Sequence, residues 1–289
     1  MSILPEEDVR HLQRETIPET FFFAFTTATG EPFGLVRLIF GADSLLETVA
    51  IRLDGRYWVA QSQGPCEAPD AGQAKISGAQ SRLVCITPWQ HWRLQFAGDV
   101  AGVPVTLALE FRHSNAPERY QVGAYTQVQQ DGIFTGALTW GEAQWRGRCV
   151  GYRDHSWGRR AGDFRAVAWT MASIPERLYA TFGQTMTQQR SFGRVLRPDG
   201  STVPVVAPQI TRDTTGWQIN DPDAGFPTWT VEPLAPPLVT YLGSEGREAV
   251  RDQPQPDDWA RDEFGPTMYT SPEGERRMGF WEQGGILSR

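Results

Sequence analysis

Val103-Pro104-Val105-Thr106-Leu107-Ala108-Leu109-Glu110-Phe111-Arg112 alternates along its whole length. Val103, Val105, Leu107, Leu109 and Phe111 form one apolar face. Pro104, Thr106, Ala108, Glu110 and Arg112 form the other. A period of two is the signature of a strand with one buried face. Just upstream, Trp92, Leu94 and Phe96 alternate with His91, Arg93 and Gln95, and the spacing predicts a hairpin through Gly98-Asp99.

The same texture extends outward in both directions. Phe21–Phe25 and Leu35–Phe40 are short apolar runs that end in turn-prone residues. Asp54-Gly55 precedes Arg56–Ala60 and is a strong hairpin signal. Arg197-Pro198-Asp199-Gly200 is a turn by its chemistry, because proline presets one φ and glycine takes the positive one. Ser201–Val206, Thr215–Ile219, Thr228–Val231 and Met278–Gln283 read as further strands. One short helix is predicted over residues 5–14, where proline and acids open the segment. Residues 64–80 read as a loop, and the charged, proline-rich stretch 245–277 as a long loop or a short helix with irregular flanks. Many short strands split by Gly, Pro and Asp turns predict an all-β fold, a sandwich or barrel.

At 289 residues the chain is too long for one small sandwich. It suits two β units of about 120–150 residues each. The net charge of −7 disfavours nucleic acid and anionic membranes as partners. Three cysteines, Cys66, Cys85 and Cys149, are odd in number and far apart, which disfavours a disulfide framework or structural zinc. The N-terminus has no basic region followed by an apolar run, and no stretch is apolar enough to span a membrane. The expected location is the cytoplasm. With 11 Trp, 15 Phe and 7 Tyr the chain can line apolar pockets as well as build strands.

The reactive groups concentrate in Gly151-Tyr152-Arg153-Asp154-His155-Ser156-Trp157-Gly158-Arg159-Arg160. If this run is extended, Tyr152, Asp154 and Ser156 share one face, and Arg153, His155 and Trp157 share the other. A carboxyl at Asp154 walled by aromatic rings could serve as a general acid, with His155 as relay or orienter. The same cluster could instead be a structural network. Trp140, Trp145, Trp157 and Trp169 lie near it in sequence, as the wall of a pocket would, and Glu282 in the last strand could add a second carboxyl. The four histidines, His11, His91, His113 and His155, show no His-Glu-x-x-His spacing, so no metal is expected. Neither Gly-x-Ser-x-Gly, nor a phosphate loop, nor Gly-x-Gly-x-x-Gly occurs, and no cofactor is expected.

The run Gly132-Ile133-Phe134-Thr135-Gly136, followed by Asp154-His155-Ser156-Trp157-Gly158 with its Arg153 and Arg159 flanks, resembles the two-domain lipocalin-like superfamily. That group holds carotenoid 1,2-hydratases, AttH-type proteins and fungal Diels–Alderases, and the arginine flanks are most similar to an uncharacterised bacterial branch. The resemblance implies two calycin-like antiparallel barrels, residues 1–147 and 148–289, with the motif opening the second. It also implies a pocket for a greasy isoprenoid- or polyketide-like substrate, no organic cofactor, and the acid's role at Asp154. Arg153, Arg159, Tyr152, Trp157, Trp169 and Glu282 are the expected substrate-binding residues. Two functions fit: a cofactor-independent hydratase, lyase or cyclase, and a lipocalin-like carrier that releases its hydrophobic ligand unchanged.

Overall fold

The computed structural model of the chain describes residues 5–9, 11, 19–41, 44–65, 75–78, 80–113, 116–122, 125–158, 169–173, 181–185, 190–196, 199, 201–212, 217–242, 248–250 and 260–285. These residues form antiparallel sheets and two short 3-10 turns, Pro5–Asp8 and Pro222–Ala224. The fold is all-β, as the period-two runs predict, and lipocalin-like, as the resemblance implies. Among the described residues no helix is long and apolar enough to cross a membrane. The chain divides into two compact units, Met1–Thr27 with Glu31–Ala161, and Ala28–Gly30 with Gly162–Arg289.

The first unit contains β1 (Glu19–Thr26), β2 (Phe33–Phe40), β3 (Ser44–Leu53), β4 (Arg56–Pro65), β5 (Lys75–Ser77), β6 (Ser81–Thr87), β7 (His91–Val100), β8 (Val103–His113), β9 (Glu118–Val122), β10 (Tyr125–Trp140) and β11 (Ala143–Trp157). They make one sheet in the order β4-β3-β2-β1-β11-β10-β8-β7-β6-β5, with β9 also on β10. The last strand therefore lies beside the first. The sheet curls, because side chains from β1, β2, β7, β8, β10 and β11 share one core that includes Phe21, Phe23, Trp92, Leu109, Phe111 and Phe134. Its flanks approach each other: Trp58 of β4 meets Trp140 of β10 at 4.9 Å between ring centroids. Gln80, at the start of β6, donates its N–H to Glu47 of β3 at 2.9 Å.

Two glycines make the tightest part of this core possible. Gly132 of β10 and Gly151 of β11 face each other across the ladder. A Cβ at Gly151 would sit 2.3 Å from the Phe134 ring, and one at Gly132 would sit 2.2 Å from the Arg112 carbonyl oxygen. Their missing side chains let Phe111 and Phe134 pack at 4.8 Å.

The second unit contains β12 (Trp169–Ser173), β13 (Thr181–Thr185), β14 (Arg190–Phe192), β15 (Arg194–Leu196), β16 (Thr202–Pro204), β17 (Gln209–Arg212), β18 (Trp217–Asp221), β19 (Phe226–Pro233), β20 (Leu238–Leu242), β21 (Glu248–Val250), β22 (Ala260–Thr270) and β23 (Arg276–Gly285). Its sheet runs β14-β13-β12-β23-β22-β19-β18-β17, with β20 on β22 and β21 on β20, while β15 and β16 form a separate hairpin. Ile219, Phe226, Trp229, Val231, Tyr269 and Trp281 fill its core. The buried Asp221 carboxylate accepts the backbone N–H groups of Val206, Ala207 and Ala224 at 2.7, 3.2 and 3.1 Å, tying the second 3-10 turn to the chain before β17.

Several expectations need correction. The β7–β8 turn is Ala101-Gly102, both at positive φ, and not Gly98-Asp99. Asp99 accepts the Gly102 N–H at 2.6 Å, so it shapes the turn from the strand end. The helix over residues 5–14 is a 3-10 turn at Pro5–Asp8, and residues 10 and 12–14 lie outside the described ones. The stretch 245–277 holds β21, β22 and the start of β23. Strand β22 pairs with β23 over its whole length, so tertiary pairing overrides a charged, proline-containing sequence. Finally, the motif does not open a second domain at residue 148. It completes the first unit, because β11 pairs along its length with β10 and lies on β1.

Candidate active site

Strand β11 carries the motif into the middle of the first sheet. Its alternation is the one read from the sequence. Arg153, His155 and Trp157 turn toward the core side, opposite Phe23, Phe21 and Glu19 of β1. Tyr152, Asp154 and Ser156 turn to the other side, opposite Ala24, Phe22 and Thr20.

The core-side residues bind the N-terminal segment. Asp8, wholly buried at 0% exposure, pairs with the Arg153 guanidinium. Its Oδ2 also accepts the Trp89 backbone N–H at 2.6 Å and the Trp92 indole N–H at 2.9 Å. Arg153 is boxed by three rings, with its guanidinium carbon 5.5, 5.3 and 5.0 Å from the centroids of Phe23, Trp89 and Trp92. Cation–π contact and a buried counter-ion together compensate a charge that would otherwise be very costly to bury. Burial, with the Asp8 charge adding to it, pushes the neighbouring Cys85 thiol up to about 12. Burial alone does the same to Cys149, so neither is a thiolate nucleophile.

One turn further, Glu19 holds two imidazoles. Its Oε1 meets His11 Nδ1 and His155 Nε2, each at 2.8 Å. The His11 backbone N–H reaches the same carboxylate at 3.0 Å. His155 is stacked on Phe21 at 4.0 Å and His11 on Trp157 at 4.2 Å. Burial holds the His155 pKa below its ordinary 6.5 against the opposing pull of Glu19. Burial tends to raise Glu19, but the hydrogen bonds from His11 and His155 outweigh it and hold the acid below its ordinary 4.5.

The opposite side of the sheet is different in kind. On β8 the non-core face is mostly exposed, as expected for an antiparallel sheet with one wet side. On β1 and β2 both faces are almost wholly buried. One cross-strand row of the buried face reads Thr48 of β3, Arg37 of β2, Phe22 of β1, Asp154 of β11 and Gln129 of β10. All five are buried. The Arg37 guanidinium lies over the Phe22 ring at 4.8 Å, and the Tyr152 ring meets the edge of Phe22 at 6.1 Å. Gln127 Nε2 donates to Asp154 Oδ2. Tyr125 donates its hydroxyl to Gln127 Oε1 at 3.2 Å, which turns the amide so that its NH2 faces the acid. The row thus places a carboxyl that accepts from Gln127 in line with the Phe22 ring and the Arg37 guanidinium, with the Tyr152 ring beside them.

The expected site residues are therefore divided. Tyr152 and Asp154 sit together, with Phe22, Arg37 and Gln127, which sequence reasoning missed. No motif marks those three; they are recruited by register, which a sequence read strand by strand does not fix. His155 does not orient Asp154, because adjacent strand residues face opposite sides, and its partner is Glu19. Arg153 and Trp157 belong to the core-side network. The tryptophans do not line one pocket: Trp140 and Trp145 pack at the far ends of β10 and β11 from Trp157. The backbone of Trp169 is in β12, and Glu282 lies half-buried on β23, both in the second unit's sheet. Arg159 lies outside the described residues.

The family described as domain of unknown function DUF7064 matches residues 4–223. No curated protein matches the sequence. Among solved structures the chain is similar to a protein provisionally assigned as an AttH from Nitrosomonas europaea, with a TM-score of 0.66 and 12% identity, covering 94% of this chain and 93% of that one. It is similar to CghA, with a TM-score of 0.59 and 12% identity over 94% of this chain and 89% of that one. It is also similar to kievitone hydratase from Nectria haematococca, with a TM-score of 0.55 and 11% identity over 93% and 89%. At these identities the likeness is one of fold, in keeping with the all-β, lipocalin-like architecture.

Proposed function

This chain belongs to the DUF7064 family, and we propose that it is a cofactor-independent enzyme of specialised metabolism. Its substrate is a hydrophobic isoprenoid- or polyketide-like molecule, and the reaction is an acid–base-assisted hydration, elimination or cyclisation. One observation carries this reading: the buried row in which Asp154, held by Gln127, stands beside Phe22, Tyr152 and Arg37 on the sheet face away from the core.

In the hydration direction the Asp154 carboxyl gives its proton to one carbon of a C=C bond. The electron pair of that bond forms the new C–H bond, and the neighbouring carbon becomes cationic. Water adds there, and the Asp154 carboxylate takes the proton that the incoming water loses. Elimination is the reverse sequence. In cyclisation the electron pair of a second C=C bond of the same substrate forms a C–C bond to the cationic carbon, and the new cation loses a neighbouring proton to the Asp154 carboxylate, which restores a C=C bond. The faces of Phe22 and Tyr152 attract the cation, at about 0.5–2 kcal/mol per ring. Arg37 balances the carboxylate once the proton has left. Gln127 is a positioning residue, because it acts through Asp154. Proton transfer of this kind supplies about 10²–10⁴-fold. The likeness of fold to a hydratase is in keeping with this chemistry.

The test is a panel of isoprenoid and polyketide alkenes and allylic alcohols, incubated with the chain in oxygen-18 water without added cofactor. Mass spectrometry should find labelled alcohol, exchanged label or a cyclised isomer, and Asp154→Asn should remove it. A ligand that binds equally to both proteins and is recovered unchanged would overturn the enzyme reading in favour of a carrier.

A further inference from the structure

His11, Glu19 and His155 form a second site that the proposed chemistry does not use. We propose that they bind one first-row divalent transition-metal ion, with Zn²⁺ as its simplest occupant, at the N-terminal end of the first unit's core. Their donor atoms, His11 Nδ1, Glu19 Oε1 and His155 Nε2, lie within 4.8 Å of one another. Zinc bonds of about 2.0–2.1 Å to nitrogen and oxygen place tetrahedral ligand atoms about 3.3–3.4 Å apart, so a small adjustment of side chains admits the ion. Two imidazoles and one carboxylate are the donor set of open three-ligand sites, which keep a fourth position for water.

The arrangement is preorganised. Each imidazole is fixed by a flat stack, His155 on Phe21 and His11 on Trp157, with interplanar angles of 19° and 27°. Both rings direct a nitrogen at one oxygen of Glu19. Anchoring the N-terminal segment does not require this, because Asp8 already ties it to Arg153, Trp89 and Trp92. The side chains of Glu19 and His155 are 6% and 0% exposed, whereas His11 is 20% exposed. The ion would enter from the His11 side and keep its water there. Its ligands come from the segment before β1, from β1 and from β11. His11 and Glu19 lie eight positions apart, but His155 lies 136 positions beyond Glu19, so no local spacing motif could announce the set.

The experiment uses the full, tag-free chain, treated with EDTA and then titrated with Zn²⁺ by calorimetry, alongside Co²⁺ followed by its visible spectrum. One Zn²⁺ per chain and a tetrahedral or five-coordinate Co²⁺ spectrum are expected. His155 is wholly buried and its removal endangers the fold, so His11→Ala carries the decision. That variant should bind Zn²⁺ more weakly by more than the about 10–100-fold that loss of an outer partner costs. His91→Ala, which alters the separate His91–Glu110 pair, should bind as the wild type does. Less than one Zn²⁺ per chain, equal affinity in His11→Ala, or loss of binding in His91→Ala would each overturn the proposal.

Discussion

Asp8 and Arg153 give the most quantitative test of how the first unit is held. Both are essentially excluded from solvent, with side chains 0% and 1% exposed, and they are 145 positions apart in the chain. Asp8→Ala removes the acceptor of Arg153, of the Trp89 N–H and of the Trp92 indole N–H, and it strands a guanidinium among three rings. Removing one partner of a buried pair costs about 3–5 kcal/mol. At about 2–4 °C per kcal/mol for a domain of this size, the melting temperature should fall by roughly 6–20 °C. Arg153→Met leaves Asp8 with its two N–H donors, so its cost should lie near the lower end, about 3 kcal/mol. The double variant Asp8→Ala with Arg153→Met replaces both charges by apolar groups, and such replacements are often near neutral. Its loss should be well below the sum of the single losses. Chemical and thermal unfolding of the four proteins closes the cycle. Single losses under about 1 kcal/mol, or additive losses, would refute the view that a buried ion pair clasps the N-terminal segment.

Acid should weaken the fold in two stages. His155 titrates lower folded than its unfolded 6.5, so the unfolded chain takes the proton first; its contribution is full above pH 6.5 and is lost as the pH falls below that value. Glu19, held below 4.5, adds a loss that begins below pH 4.5. Between pH 7 and 5 stability should fall by up to about 1.4 kcal/mol per pH unit, and His155→Phe should flatten that slope in denaturant melts. Gly151→Ala and Gly132→Ala should each lose about 1–3 kcal/mol through overpacking, Gly132 the more because it meets a backbone oxygen. Gly55→Ala, with open space around it but a φ of 75°, should lose only the strain of that conformation, a difference visible in the same melts. Gln127→Leu removes the hydrogen bond that holds Asp154, worth about 1.5–3 kcal/mol to a charged group. Turnover should fall roughly 10- to 100-fold with an altered pH profile, while a purely structural role would leave the profile of the remaining activity unchanged.

Much of the architecture is local and was readable. The alternation at Val103–Arg112 and the Asp54-Gly55 turn appear where the sequence places them, since each depends on residues a few positions apart. The two faces of Tyr152–Trp157 were readable for the same reason. What each face does was not. Arg153 is explained by Asp8, His155 by Glu19, and Asp154 by Phe22 and Arg37 on neighbouring strands. Those partners are set by strand order and register, which alternation does not encode. The Gly98-Asp99 reading failed because Asp99 acts through its side chain on the Gly102 N–H and leaves the positive φ values to Ala101 and Gly102. The strand at Ala260–Thr270 was hidden because its neighbours β19, β20 and β23, and not its own residues, decide it.

On the proposed function one motif does two jobs on two faces of β11: Arg153 and His155 hold the fold, and Asp154 does chemistry. Asp154→Asn separates them most directly, because an asparagine oxygen can still accept from Gln127. Its melting temperature should stay within about 3 °C of the wild type, under about 1 kcal/mol for a chain this size. With a turned-over substrate in hand, its rate should fall roughly 10²–10⁴-fold. A melting drop like that of Asp8→Ala, or full activity in Asp154→Asn, would contradict that division and return the whole motif to a structural role.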